Sequence, residues 1–166
     1  MTVEKFKELA RPTSKHVDDV EIITFIRECE DILIIPAIGL KRYKALLSEH
    51  LNVENKILLE GGEYEDNKTL KKCAGLQIAI SYFVYAKMIM SDGGILTRTG
   101  LMQHNDSYAS RSDDKNRVRR YDEVMNVAEA YLSTCLAYLK TKESKCDSTG
   151  SGRVRGTRVR IHSIGE

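Results

Sequence analysis

Residues 69–90 read TLKKCAGLQIAISYFVYAKMIM, the longest largely apolar stretch of the chain. Its apolar residues, from Leu70 and Cys73 through Ile80, Phe83 and Val84 to Met90, go almost all the way round a helical wheel. A helix that is apolar on every side belongs at the centre of a core or in a membrane. A membrane span needs about 20 apolar residues with few charges. Here Gln77, Ser81 and Lys87 interrupt the run, and Lys71 and Lys72 stand near its start. The stretch is therefore read as a central core helix. Asp66 and Asn67 offer acceptors for the orphan N–H groups of its first turn. Gly93 and Gly94 follow where a left-handed C-cap would sit.

On the N-terminal side, Val3, Phe6, Leu9 and Ala10 predict a short helix that Pro12 stops. Asp18 and Asp19 suit the start of the next helix, by capping and by their charge against the helix dipole. Ile22, Phe25, Ile26, Cys29, Ile32 and Leu33 then recur at helical spacing. The run 32–35 also fits a short strand; helix is favoured because the periodicity enters it from the left. Pro36 and Gly39 predict a kink or stop, followed by a helix from Leu40 to about Leu51 that buries Tyr43, Leu46 and Leu47. Residues 52–66, NVENKILLEGGEYED, read as an acidic, solvated connector. Its carboxylates lack the Asp/Asn alternation of a calcium loop.

On the C-terminal side, Ile95, Thr97, Thr99 and Leu101 alternate as in a short extended segment or hairpin. Ser112, Asp113 and Asp114 open a long helix reaching about Thr141. Val118, Tyr121, Met125, Ala128, Leu132, Cys135, Leu136 and Leu139 form its apolar stripe. Arg119 with Glu123, Arg120 with Glu123, and Asp113 with Arg117 stand at helical reach, so the RVRR run reads as a salt-bridged face. From Ser144 the composition changes. Gly150, Ser151 and Gly152 make a flexible joint, and four arginines then interleave with β-branched residues. The division expected is a helical domain over 1–143 and a basic arm over 144–166. The fold class expected is all-α: a helical bundle around the central apolar helix, with a short extended mid-chain loop and an extended C-terminal arm.

In 166 residues the formal net charge is only +2, which does not mark the whole chain as a polyanion binder. The N-terminus carries no apolar signal-peptide segment. Cys29, Cys73, Cys135 and Cys146 show no CxxC pair and read as reduced thiols, most of them in apolar patterns. The glycine pairs at 61–62 and 93–94 lack the remainder of a phosphate loop. His16, His50, His104 and His162 have no second ligand at metal spacing. His104, Asp106 and Ser107 are triad residue types, but neighbours on one loop do not supply triad geometry. The expectation is a non-enzyme with no catalytic, cofactor or metal residues.

The order of parts carries more than any motif. The middle of the chain runs AKMIMSDGG, then Thr97-Arg98-Thr99-Gly100-Leu101-Met102, a polar segment over 105–110, and an Asp113-led helix ending AYLSTCLAYLK. Across residues 15–142 this resembles the head–tail connector, or head-completion adaptor, proteins of tailed bacteriophages. The resemblance implies a virion structural protein at the head–tail junction, made in the host cytoplasm. It implies a homo-oligomeric ring, twelve-fold in that family's manner, beneath a portal protein and above a tail or second adaptor protein. DNA would pass through the ring, and no membrane is involved. A closed heterologous ring needs two unlike side surfaces.

Contacts are expected from the mid-chain loop, through Leu101, Met102 and Tyr108 by burial and Arg98 and Arg111 by ion pairs. A second set lies in the arm: Arg153, Val154, Arg155, Arg158, Val159, Arg160 and Ile161. That composition suits a strand added to a partner's sheet edge. It also suits phosphate tracking, so the alternative from another class is a nucleic-acid-binding helical module using the basic tail. No helix-turn-helix or other known DNA-reading module accompanies it.

Overall fold

The computed structural model describes residues 1–11, 18–49, 51–91, 95–97, 100–102 and 114–147. The helices are α1 (Val3–Leu9), α2 (Asp19–Cys29), α3 (Ile35–Ile38), α4 (Leu40–Ser48), α5 (Val53–Glu60), α6 (Leu76–Ser91) and α7 (Asp114–Asp147). Two antiparallel hairpins complete the described elements: β1 (Gly62–Asp66) with β2 (Thr69–Cys73), and β3 (Ile95–Thr97) with β4 (Gly100–Met102). The chain is mainly helical, as its periodicity predicts.

Helix α6 packs against α7, α2, α1 and α5. From Cys73 to Ile89 no residue is exposed, so the apolar wheel is covered on every side. Phe83, Val84, Ala79 and Ala86 are among its buried residues. Ser81 is fully buried, and its hydroxyl donates to the Gln77 carbonyl at 2.8 Å, which satisfies the one polar group placed there.

The core helix begins at Leu76, not at Thr69, and the connector reading of residues 52–66 needs correction. Asn52 caps α5 by accepting from the Glu54 N–H, and residues 62–73 form a hairpin. Asn67 and Lys68 both have positive φ (50° and 65°), as a two-residue turn of type I′ requires. They turn the chain; they do not cap a helix. Glu63 pairs with Lys72 across the strands and Glu65 with Leu70. The acids read as a solvated loop therefore face a basic strand, and Lys71 binds Asp66 at 2.6 Å. Tyr64 and Cys73 point inward; the other residues of both strands are half-buried or exposed.

Asp18 caps α2 through the Val20 N–H. Helix α2 then widens into a π turn over Glu30–Ile34, where the Ile35 N–H reaches back five residues to the Glu30 carbonyl. Pro36 explains this: it has no N–H and its ring would strike the carbonyl four residues back, so the helix loosens ahead of it. Gly39, at φ +83°, then ends α3 and starts α4. Leu46 is buried on α4 and Tyr43 half-buried, but Leu47 is 64% exposed, against expectation.

Helix α7 outlasts its predicted end near Thr141 and runs to Asp147, across the boundary expected at residue 143. Its buried line is Val124, Ala128, Cys135, Tyr138 and Leu139. Val118, placed in the stripe by its spacing, is exposed at 47%. Tyr138 joins three elements: its ring meets Tyr64 edge-on at 4.9 Å, and its hydroxyl donates to the Glu54 carbonyl at 3.2 Å. Lys142 binds the Glu54 carboxylate at 2.6 Å and lies 5.6 Å from the Tyr138 ring centre. That carboxylate raises the Lys142 pKa, and burial raises that of Tyr138.

Candidate assembly surfaces

Large apolar side chains stay exposed at both ends of α6. At its N-terminal end lies α4. Leu40 and Leu47, seven residues apart and so on one helical face, are exposed at 53% and 64%. Leu51 and Val53, which follow α4 in sequence, are also exposed, at 83% and 72%. Lys41 and Lys44 are exposed beside them, and α4 contains no acid. The helix is held from beneath. Leu46 is its core anchor, and the Tyr43 hydroxyl donates to Glu30 at 3.1 Å. The other oxygen of Glu30 takes the α-amino group of Met1 at 2.9 Å. Burial first, and then the Glu30 charge, push the Tyr43 pKa up to about 12. Between α4 and the start of α6, with Leu46, Leu47, Leu76 and Ile80 among its walls, lies a pocket of about 60 Å³. That is the room of about two waters, far below a metabolite site of several hundred Å³.

At the C-terminal end of α6, Val20 and Ile23 project from α2 at 68% and 39% exposure, next to Asp18, Asp19 and Glu21. Ser91 donates to Glu21 at 2.9 Å, and Lys7 binds Asp19 at 2.7 Å, which fixes α2 here. Met90 and Val118 add exposed apolar surface. Arg117 donates to the carbonyls of Ile89 and Met90 at 3.2 and 2.9 Å, closing the last turn of α6 as a C-terminal cation does. The RVRR run is thus partly structural. Arg119 meets Glu123 at 3.6 Å with both side chains largely exposed, a pair of small energetic weight. With 16 residues, α6 separates the two surfaces by about 24 Å.

Of the contact residues expected from sequence, Leu101 and Met102 lie on β4, paired with Leu96 and Ile95 of β3, so the extended mid-chain segment is a hairpin. Arg98, Tyr108, Arg111, Arg153, Val154, Arg155, Arg158, Val159, Arg160 and Ile161 lie outside the described residues. The α4 surface was missed. Its signal was the leucine pair 46–47: neighbours on a helix point about 100° apart, so with Leu46 inward Leu47 flanks the outside face that Leu40 marks. Among the described residues no cluster of three or more His, Cys, Asp or Glu side chains could hold a metal ion, and no helix is long and apolar enough to cross a membrane.

Residues 34–154 match a family described as a family of unknown function, DUF6712. The chain belongs to the DUF6712 family. The match leaves out α1 and α2 and takes in everything from the last residue of the π turn through α7, so the α4 surface, both hairpins and α6 lie within the DUF6712 region. No curated protein and no solved structure matches the chain.

Proposed function

We propose that this chain is a non-catalytic structural subunit of a tailed-phage particle, a head–tail adaptor that assembles head-to-tail into a ring between portal and tail. The observation that supports it best is the pair of unlike exposed surfaces at opposite ends of α6. The α4 surface is apolar and basic, with Leu40, Leu47, Lys41 and Lys44. The α2 surface is apolar and edged by acids, with Val20, Ile23, Asp18 and Glu21. A heterologous contact joins two different patches of successive copies, and a ring results when the rotation closes. Opposite charge at the margins fixes which patch meets which. The bundle around α6 is the rigid spacer that holds the patches apart. The order of parts across residues 15–142 supports the adaptor reading of such a ring.

Native mass spectrometry with negative-stain imaging tests this. The unmodified chain is expected to give one closed oligomer. Leu47→Asp is expected to give a folded monomer, since an exposed site changes stability by only about 0.5 kcal/mol. A Leu47→Asp protein that assembles like the parent removes α4 from the interface. A parent that stays monomeric at all concentrations, alone and with portal, removes the ring.

The arm is tested separately by truncation after Ser148. The truncated chain is expected to keep its oligomer and to lose incorporation into particles. Loss of DNA retention alone, with a steep salt dependence in the parent, would assign the arm to nucleic acid instead.

A further inference from the structure

Cys73 ends strand β2, and Cys135 lies in the middle of α7. Both are fully buried, and their sulfurs are 3.8 Å apart. The backbone is pinned beside them. The Ala74 N–H, one residue past Cys73, donates to the Thr134 hydroxyl, one residue before Cys135, at 3.1 Å. Behind them the chain crosses itself tightly at Gly61 and Gly75. A Cβ on either glycine would lie within 2.6 Å of a main-chain atom of the other segment. Among the described residues, the sulfur pair thus lies next to a close backbone crossing of residues 60–61 with 74–75.

We propose that Cys73 and Cys135 form a modification site, closed by a small two-electron oxidant into a disulfide that staples the β1–β2 hairpin to α7. A disulfide bond is about 2.05 Å long. The sulfurs must approach by less than about 2 Å, the difference between their 3.8 Å separation and the bond length.

The chemistry has a defined order. The thiolate is the nucleophile. Cys73 is the sulfur that ionises first: once its own proton is lost it can accept the S–H of Cys135, 3.8 Å away, and that contact lowers its pKa against the opposing effect of burial. Cys135, the donor to that sulfur, is pushed upward. With hydrogen peroxide as oxidant, the Cys73 thiolate attacks one oxygen and the O–O bond breaks. This leaves a sulfenic acid and a hydroxide that takes up a proton as water. The Cys135 sulfur then attacks the sulfenic sulfur, the S–O bond breaks, and the Cys135 proton leaves with that oxygen as a second water. Two thiols and one peroxide become one disulfide and two waters.

The bond would close a loop between residues 62 apart in sequence and restrict the unfolded chain accordingly. Cys29 is an internal control. It is equally buried, and burial pushes its thiol up to about 11, so it is expected to stay reduced.

The test oxidises the full chain with hydrogen peroxide, natively and during refolding, blocks free thiols, and maps peptides. The expected result is a Cys73–Cys135 linked peptide and a mass lower by two hydrogens. In a Cys146→Ser chain the melting temperature is expected to rise by about 5–10 °C. Dithiothreitol reverses both, and Cys73→Ser shows neither. Absence of the linked peptide in both preparations overturns the proposal. So does sulfinic acid at Cys73 with Cys135 still free, or a linked chain that melts below the reduced one. The mapping on the unsubstituted chain decides the matter even if a cysteine variant does not fold.

Discussion

A chain carrying Phe83→Asp is expected to show no cooperative thermal transition and to accumulate as insoluble protein. Phe83 is 2% exposed on α6, the helix that touches α1, α2, α5 and α7. The substitution removes an aromatic ring from the core, which alone costs about 3–5 kcal/mol. It also leaves a carboxylate with no partner in apolar surroundings, adding several kcal/mol or forcing the group to stay protonated. A domain has about 5–15 kcal/mol in total. Ile80→Asp, at 5% exposure and one turn away, is expected to behave in the same way. Circular dichroism with a thermal melt is the measurement. A helical, cooperatively melting Phe83→Asp protein would mean that this face of α6 is not enclosed. By contrast, Val118→Asp on α7 is expected to leave the melt nearly unchanged, because Val118 is half exposed whatever its place in the apolar stripe.

The difference between Phe83 and Val118 shows where periodicity is informative. Spacing identifies a helix and its apolar side, and it did so for α2, α6 and α7. It does not say how far the partner extends. Val118 keeps the rhythm of its stripe near the start of α7 and is still exposed, whereas Val124 and Tyr138 are buried a little off the drawn line. The hairpin at 62–73 was hidden for a different reason. Its acids sit on one strand and its lysines on the other, so neither strand alternates cleanly in hydropathy, and only Tyr64 and Cys73 face inward. The legible sign was the turn, Asp66-Asn67-Lys68-Thr69, which a helix N-cap reading absorbed because Asp and Asn serve both purposes. The α4 surface was legible only in part: two leucines at helical register mark a face, but exposure is a property of what fails to pack there. The sulfur pair could not be read at all. Nothing local relates Cys73 to Cys135; the long-range docking of a strand end on a helix brings them together.

Gly75→Ala is expected to lower stability by about 3–4 kcal/mol and the melting temperature by roughly 10 °C. In the sequence Gly75 looks like an interruption inside an apolar helix. In the structure it separates β2 from α6, at φ +98°. Two effects act there. An L-residue at positive φ costs about 1–2 kcal/mol. In addition the new Cβ would lie 2.6 Å from the Gly61 nitrogen and 2.7 Å from the Glu60 carbonyl carbon. These are backbone atoms that no rotamer change can withdraw, so the end of α5 or the start of α6 must shift. Gly39→Ala separates the two effects. Gly39 has φ +83°, but nothing lies within 4 Å of its would-be Cβ, so it carries the backbone cost alone, about 1–2 kcal/mol. Equal losses for the two variants, measured by urea titration, would show that the crossing of Gly61 and Gly75 is loose. A larger loss at Gly75, accompanied by slower closure of the Cys73–Cys135 disulfide, is the outcome expected if that crossing sets the position of the hairpin on α7.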